Sequence, residues 1–192
     1  LVFCPERTLQ GNALSELRTL PQVIGGYSRQ CVDAAADIFQ DVTSNIIRAE
    51  SIEAAELVKL INNTYRDLRF AFANEVGTIC SAYNLNAYQI INQANEGYPR
   101  DPIAAPSPGV GGSCLSKDPY LYGFHPYVSP KCLNIRLGKV SREVNNSMVK
   151  NLLVVLDRFV EQLKSKNIAK VFVAGLAFKG WPETDDLRAS IS

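Results

Sequence analysis

Apolar residues in the first part of the chain come in short runs broken by turn residues, and after Ser51 they recur at helical spacing. Leu1-Val2-Phe3-Cys4 reads as a strand, followed by Pro5-Glu6-Arg7 and a turn at Gly11-Asn12. A short helix is expected over 13–19 and a strand over 21–26. A further helix runs through 33–42, with Ser28 as its cap. A brief strand within 45–51 closes the segment. Strand–helix–strand–helix–strand is the order of parallel-sheet units, so parallel pairing is expected.

From Ile52 to Asn84 apolar positions (Leu57, Leu60, Ile61, Leu68, Phe72, Val76, Ile79, Cys80) follow the helical period. A helix of that length needs support from packing or from a partner chain. Asn86 can cap a second helix over 87–95 that ends towards Gly97. The irregular run YPRDPIAAPSPG follows, and a long loop in a compact domain is more often functional than a plain connector. A third helix starting near Leu137 carries an apolar stripe at Val140, Val144, Met148, Leu152, Val155, Phe159 and Leu163. Its charged residues, Arg142 among them, fall mostly off that stripe, which is expected to pack into a core. Lys170 to Gly175 then reads as a buried strand.

Composition narrows the function classes. The 192 residues carry 20 basic against 19 acidic side chains, a net charge of +1. That is no footprint for nucleic acid or an anionic membrane. Five cysteines, scattered and without a CxxC pair, read as reduced cytosolic thiols rather than a disulfide or zinc framework. The single histidine, His125, leaves no multi-histidine metal site, so no metal is expected. No apolar run reaches the ~18–20 residues of a membrane helix. A soluble, cytoplasmic protein is the expectation. The absence of an initiator methionine and the short final strand suggest a piece of a longer chain.

The chemistry concentrates in PSPGVGGSCLSKDPYLY, Pro106 to Tyr122. Glycines there let backbone approach a ligand closely. A helix beginning at Ser113-Cys114 and stopping near Asp118-Pro119 would aim unpaired N–H groups at an anion and favour the thiolate, the reactive form of cysteine. On such a helix Cys114 and Asp118 share a face. A buried cysteine behind a Gly-Pro loop is the plain alternative.

This stretch resembles the active-site segment of the UDP-glucose/GDP-mannose dehydrogenase family, whose Gly-Gly-x-Cys-(three residues)-Asp pattern stands here as Gly111, Gly112, Cys114 and Asp118. Other segments agree in order: Pro5-Glu6-Arg7, Gly25-Gly26, Lys59 with Asn63, Asn145–Met148, and Gly175–Gly180 with Asp186-Leu187-Arg188. Without the resemblance, Lys59 would read as a solvated lysine and Asn63 as a surface amide.

The resemblance implies a mainly α fold with α/β ends. Residues 1–51 would end an NAD-binding Rossmann-like domain. Residues 52–167 would form a helical domain that dimerises through the long helix, and 168–192 would open a UDP-binding Rossmann-like domain. It implies Cys114, Lys59, Asn63, Asp118 and Glu6 as catalytic residues. Arg7, Arg100, Gly111, Gly112, Phe178 and Lys179 would hold the substrate, with Arg100 reaching it from a partner subunit. Lys117 and Arg188 would lie towards the cofactor, NAD. No GxGxxG fingerprint occurs in the chain, so the main NAD site is not expected here.

The activity implied is oxidation of a nucleotide sugar's C6 alcohol to a carboxylate through a Cys114 thioester. Pro5-Glu6-Arg7 and Asp118-Pro119-Tyr120 look like the UDP-N-acetylhexosamine branch, whereas Ser113 and Lys117 look like the UDP-glucose branch. UDP-glucose or GDP-mannose remains the alternative substrate. An inactive dimerisation module is the alternative for this piece alone, and a thiol hydrolase lacks a histidine base nearby.

Overall fold

The computed structural model describes residues 1–9, 11–43, 45–124, 134–164, 170 and 172. Three short strands and six helices are found among them. They are β1 (Val2–Phe3), α1 (Ala13–Thr19), β2 (Gln22–Gly26), α2 (Arg29–Phe39), β3 (Ile46–Arg48), α3 (Ile52–Ala82), α4 (Ala87–Asn95), α5 (Asp118–Leu121) and α6 (Leu137–Lys164). The chain divides into two compact units, one of residues 1–63 and one beginning at Thr64, so the boundary falls inside α3. The fold is helix-rich, as the resemblance implies, and its small sheet is mixed. The expected strand at 170–175 and the third domain of 168–192 lie outside the described residues, apart from 170 and 172.

In the first unit the strand order is β1-β2-β3. β2 and β3 pair in parallel, Val23 opposite Ile47, with α2 as the crossover. β1 departs from the expected parallel pairing: it runs antiparallel to β2, Val2 opposite Gly26. The reason lies in α1. A parallel crossover helix packs on the sheet, but α1 buries no residue and Leu14 is 82% exposed. By contrast α2 presents Val32, Ala35, Ala36 and Phe39, one helical face, to Ile24 and Ile46. Ser28 caps α2 as expected, its Oγ accepting the Cys31 N–H at 3.3 Å.

In the second unit α3 ends where Asn84 adopts φ 55°, with the Leu85 N–H bonded to the Cys80 carbonyl at 2.8 Å. This left-handed cap satisfies a carbonyl of the last turn. Asn86 caps α4 through the Gln89 N–H.

The apolar stripe expected to bury α6 does not do so. Val140, Leu152, Val155 and Phe159 are exposed, and the buried face is Gly138, Ser141, Arg142 and Asn145. Polar pairing explains the rotation. Those side chains find buried partners on α3, and a buried polar group that is hydrogen-bonded can displace an apolar one. Gly138 is needed for the close approach of α5, since a Cβ there would lie 2.1 Å from the Pro119 carbonyl oxygen.

Candidate active site

The glycine-rich loop is held before it reaches the cysteine. The Ser107 N–H donates to Asn74 Oδ1 at 2.7 Å, and the Val110 carbonyl accepts from both terminal nitrogens of Arg142 at 3.1 Å. Gly112 then takes φ +95°, a conformation L side chains resist, and this turns the chain into Ser113-Cys114.

Residues 113–117 form turns, and α5 begins at Asp118. The expected helix over 113–118 is therefore replaced by one that starts where it was to stop. Cys114 precedes α5, so the helix does not begin at the thiol as expected. Pro119 explains the placement: it lacks an N–H and fits a first turn, not a last one. The Lys117 and Asp118 N–H groups both point back to the Cys114 carbonyl, at 3.2 and 2.9 Å.

Cys114 is partly buried, and the Asp118 side chain is 2% exposed. Lys117 Nζ donates to Asp118 Oδ1 at 2.7 Å. That hydrogen bond raises the Lys117 pKa, and the charges of Asp118 and Cys114 add to it against a desolvation cost. A thiol, an ammonium and a buried carboxylate thus stand within one turn, followed by α5. Among the described residues Cys4, Cys31, Cys80 and Cys114 are free thiols. Burial pushes the Cys4 thiol up. Among the described residues no group of three or more His, Cys, Asp or Glu side chains could hold a metal ion. None of their helices is long and apolar enough to cross a membrane.

In the first unit, Lys59 Nζ lies 3.9 Å from Glu6 Oε2, bringing two of the expected catalytic residues together. Asn63 stands one turn beyond Lys59 on α3, on the same face. Arg7 donates to the Pro21 carbonyl, and Glu6 accepts from the Thr8 hydroxyl. In the second unit the Arg100 guanidinium lies over the Tyr98 ring, 5.3 Å from its centre. It borders a cavity of about 570 Å³ shared with Tyr65, Arg69, Phe72 and Pro102. Phe178, Lys179 and Arg188 lie outside the described residues, as do His125 and Cys132.

Residues 53–147 match the model of the UDP-glucose/GDP-mannose dehydrogenase family, central domain. A UDP-N-acetyl-D-mannosamine dehydrogenase from Methanocaldococcus jannaschii is 37% identical over 190 residues, 99% of this chain and 42% of that protein.

The chain belongs to the UDP-glucose/GDP-mannose dehydrogenase family.

A family member from Campylobacter jejuni, also a UDP-N-acetyl-D-mannosamine dehydrogenase, is 34% identical over 99% of this chain and 44% of its own. The solved UDP-D-ManNAc dehydrogenase of Pyrococcus horikoshii superposes with a TM-score of 0.80 at 34% identity, covering 98% of this chain and 44% of that one. The chain spans less than half the length of the relatives it matches.

Reading the sequence gave no buried role to five residues of this family member's second unit: Asp67, Asn74, Ser141, Arg142 and Asn145. Arg142 Nη1 meets Asp67 Oδ1 at 2.7 Å with both side chains almost fully buried. Ser141 Oγ donates to Asp67 Oδ2 at 2.7 Å, and Asn145 Nδ2 donates to Asp67 Oδ1 at 2.9 Å. Asn74 Nδ2 donates to Asn145 Oδ1 at 2.9 Å. The signal was available as spacing. Asp67 and Asn74 are seven apart, and Gly138, Ser141, Arg142 and Asn145 fall at i, i+3, i+4 and i+7, one helical face of small and polar residues.

Proposed function

We propose that this chain carries the catalytic cysteine of an NAD-dependent nucleotide-sugar 6-dehydrogenase. Its substrate is a UDP-N-acetylhexosamine whose C6 alcohol is oxidised to a carboxylate. The observation that carries this reading is the turn that places the Cys114 thiol one turn before the buried Asp118 carboxylate and its Lys117 partner. Family membership supplies the substrate class, and the relatives named above are UDP-N-acetylmannosamine dehydrogenases. Ser113 and Lys117 favour UDP-glucose as the second reading.

NAD, when bound, accepts hydride in each of two oxidations. With no GxGxxG in the chain, the described residue that would suit it is Lys117, whose side chain is 61% exposed and carries a cation that suits a phosphate. Arg188 is the second residue assigned to NAD. Cys114 Sγ attacks the C6 aldehyde, giving a thiohemiacetal whose oxidation leaves a thioester. Covalent capture divides a hard step and retains the aldehyde. Lys59 and Asn63 donate to the oxyanion of each tetrahedral species. Asp118 or Glu6 takes a proton from the water that hydrolyses the thioester, releasing the thiol. Gly111 and Gly112 seat the sugar, and Arg7, Phe178 and Lys179 hold the nucleotide sugar.

Residues 1–51 end the NAD-binding domain, 52–167 form the helical domain, and 168–192 open the UDP-binding domain. The protein is a homodimer through α3, and Arg100 meets the partner's substrate. Exposed Tyr65, Phe72 and Ile79, seven apart on one α3 face, support that pairing.

The test is NADH formation by a chain of the relatives' full length that carries these residues. It is offered UDP-N-acetylmannosamine, UDP-N-acetylglucosamine, UDP-glucose and GDP-mannose, beside Cys114→Ala. Two NADH per sugar, lost in the variant, is the expected result. No NADH with any of them would overturn the catalytic reading and leave a binding or dimerisation module.

A further inference from the structure

We propose that Arg142 is a positioning residue for Cys114, clamping the loop that delivers the thiol. This rests on the reading of Cys114 as the nucleophile. Arg142 lies on α6, is 3% exposed, and spreads its terminal nitrogens over three acceptors. Nη1 donates to Asp67 Oδ1 (2.7 Å) and to the Val110 carbonyl (3.1 Å). Nη2 donates to the same carbonyl (3.1 Å) and to Asn146 Oδ1 (2.6 Å). Nε is buried with no acceptor among the described residues, so the two outer nitrogens carry the clamp.

The loop is fixed at a second point from α3. Asn74 Oδ1 accepts the Ser107 N–H, and Asn74 is itself held by Asn145, which bonds to Asp67. Ser107 and Val110 are therefore tied to one polar hub, seven and four residues before Cys114. Within the loop Ser107 Oγ also donates to the Gly109 carbonyl at 2.7 Å. Only Gly111, Gly112 and Ser113 separate the clamp from the nucleophile, and Gly112 has its φ at +95°. A glycine pair has little stiffness of its own, so the position of Cys114 follows from where Val110 is held.

Energetics favour this role over simple helix pairing. Burying an ion pair is costly, and apolar residues of similar volume hold two helices together as well or better. What an apolar residue cannot supply is a pair of donors for the buried Val110 carbonyl. Arginine alone offers a planar fork that bonds a carboxylate on one side and a backbone oxygen on the other. Catalysis gains from such holding because small misplacements of a reacting atom are expensive.

The experiment uses the full chain with Arg142→Lys, which keeps the charge facing Asp67 but not the fork. Asn146→Ala, at an exposed position, is a milder second variant that removes only the outer anchor of Nη2. Two readouts are independent of turnover: hydrogen exchange of peptides covering 107–115, α3 and α6, and the rate of Cys114 alkylation by iodoacetamide with Cys31 as internal reference. In Arg142→Lys, exchange in 107–115 rises about tenfold while α3 and α6 change little, as loss of a buried clamp should produce. In Asn146→Ala the rise is about threefold on the same argument. Cys114 alkylation changes in the same order relative to Cys31. In the full-length enzyme kcat falls more than KM rises.

Loop exchange unchanged in both variants would overturn the proposal. So would exchange rising equally along α3 and α6, which would make Arg142 a packing residue only. An enzyme with no dehydrogenase activity before substitution would sink the reading of Cys114, while exchange and alkylation would still decide the clamp.

Discussion

Replacing Asp67 by Leu leaves the Arg142 guanidinium buried without its counter-ion, while Ser141 keeps the Gly138 carbonyl at 2.9 Å and Asn145 keeps the main-chain carbonyl of position 67 at 3.0 Å as acceptors. Breaking a buried ion pair from one side costs about 3–5 kcal/mol, and because Ser141 and Asn145 each keep a second acceptor this case falls near the middle of that range. With a urea slope of about 2 kcal/mol per M, a loss of about 4 kcal/mol lowers the unfolding midpoint by about 2 M. Arg142→Met strands the Asp67 carboxylate and costs a similar amount. The double variant Asp67→Leu/Arg142→Met removes both charges and should be less damaging than the sum of the singles by about 3 kcal/mol. It still leaves the Val110 carbonyl unpaired, so it should not reach the parent's stability. Urea unfolding followed by far-UV circular dichroism, with m-values compared across the four proteins, measures the cycle. A single-variant shift below about 0.5 M, or strict additivity, would refute the account of α3 and α6 as joined by a buried charge pair.

Other expectations follow from single contacts. The hydrogen bond from Lys117 to Asp118 raises the folded pKa of Lys117, so its stabilisation is complete below the ordinary lysine value of about 10.4 and is lost as pH rises through the folded value. The thermal midpoint of the parent should therefore converge on that of Lys117→Met above about pH 10.4, and parallel curves would refute the pair's contribution. Gly138→Ala drives a Cβ to 2.1 Å from the Pro119 carbonyl oxygen and should cost about 2 kcal/mol as α5 and α6 separate. A melting temperature lowered by about 5 °C is expected, and an unchanged one would mean that α5 yields freely. Ser28→Ala removes the cap accepting the Cys31 N–H and should cost about 1 kcal/mol, with Ser28→Asn restoring most of it. Equal stability of the Ala and Asn variants would show that the cap contributes nothing.

Elements whose signals are local were legible in the sequence. Ser28 and Asn86 mark their helix starts by side-chain chemistry that needs no partner from elsewhere in the chain, and α3 declares itself by its period. The candidate site stood out as a motif, Gly111-Gly112-x-Cys114 with Asp118, but its local geometry did not. Whether 113–118 is helix or turn depends on Pro119, whose preference for a first turn outweighed the pull of a cysteine at a helix start. β1 is misleading because strand–helix–strand order suggests a parallel crossover, whereas its antiparallel register and the absence of burial along α1 show that there is none.

The largest departure was α6, where counting apolar positions selected the wrong face. Hydrophobic period identifies the buried side only when burial is apolar, and here Asp67 and Asn74 on α3 make a polar face the better match. A single sequence shows each polar stripe as a solvated surface, because neither stripe carries its partner's coordinates. Two polar stripes at helical spacing in one chain, each containing a residue able to satisfy the other's charge, are therefore a reason to doubt the apolar face. In this chain they are also what ties the cysteine loop to its two longest helices.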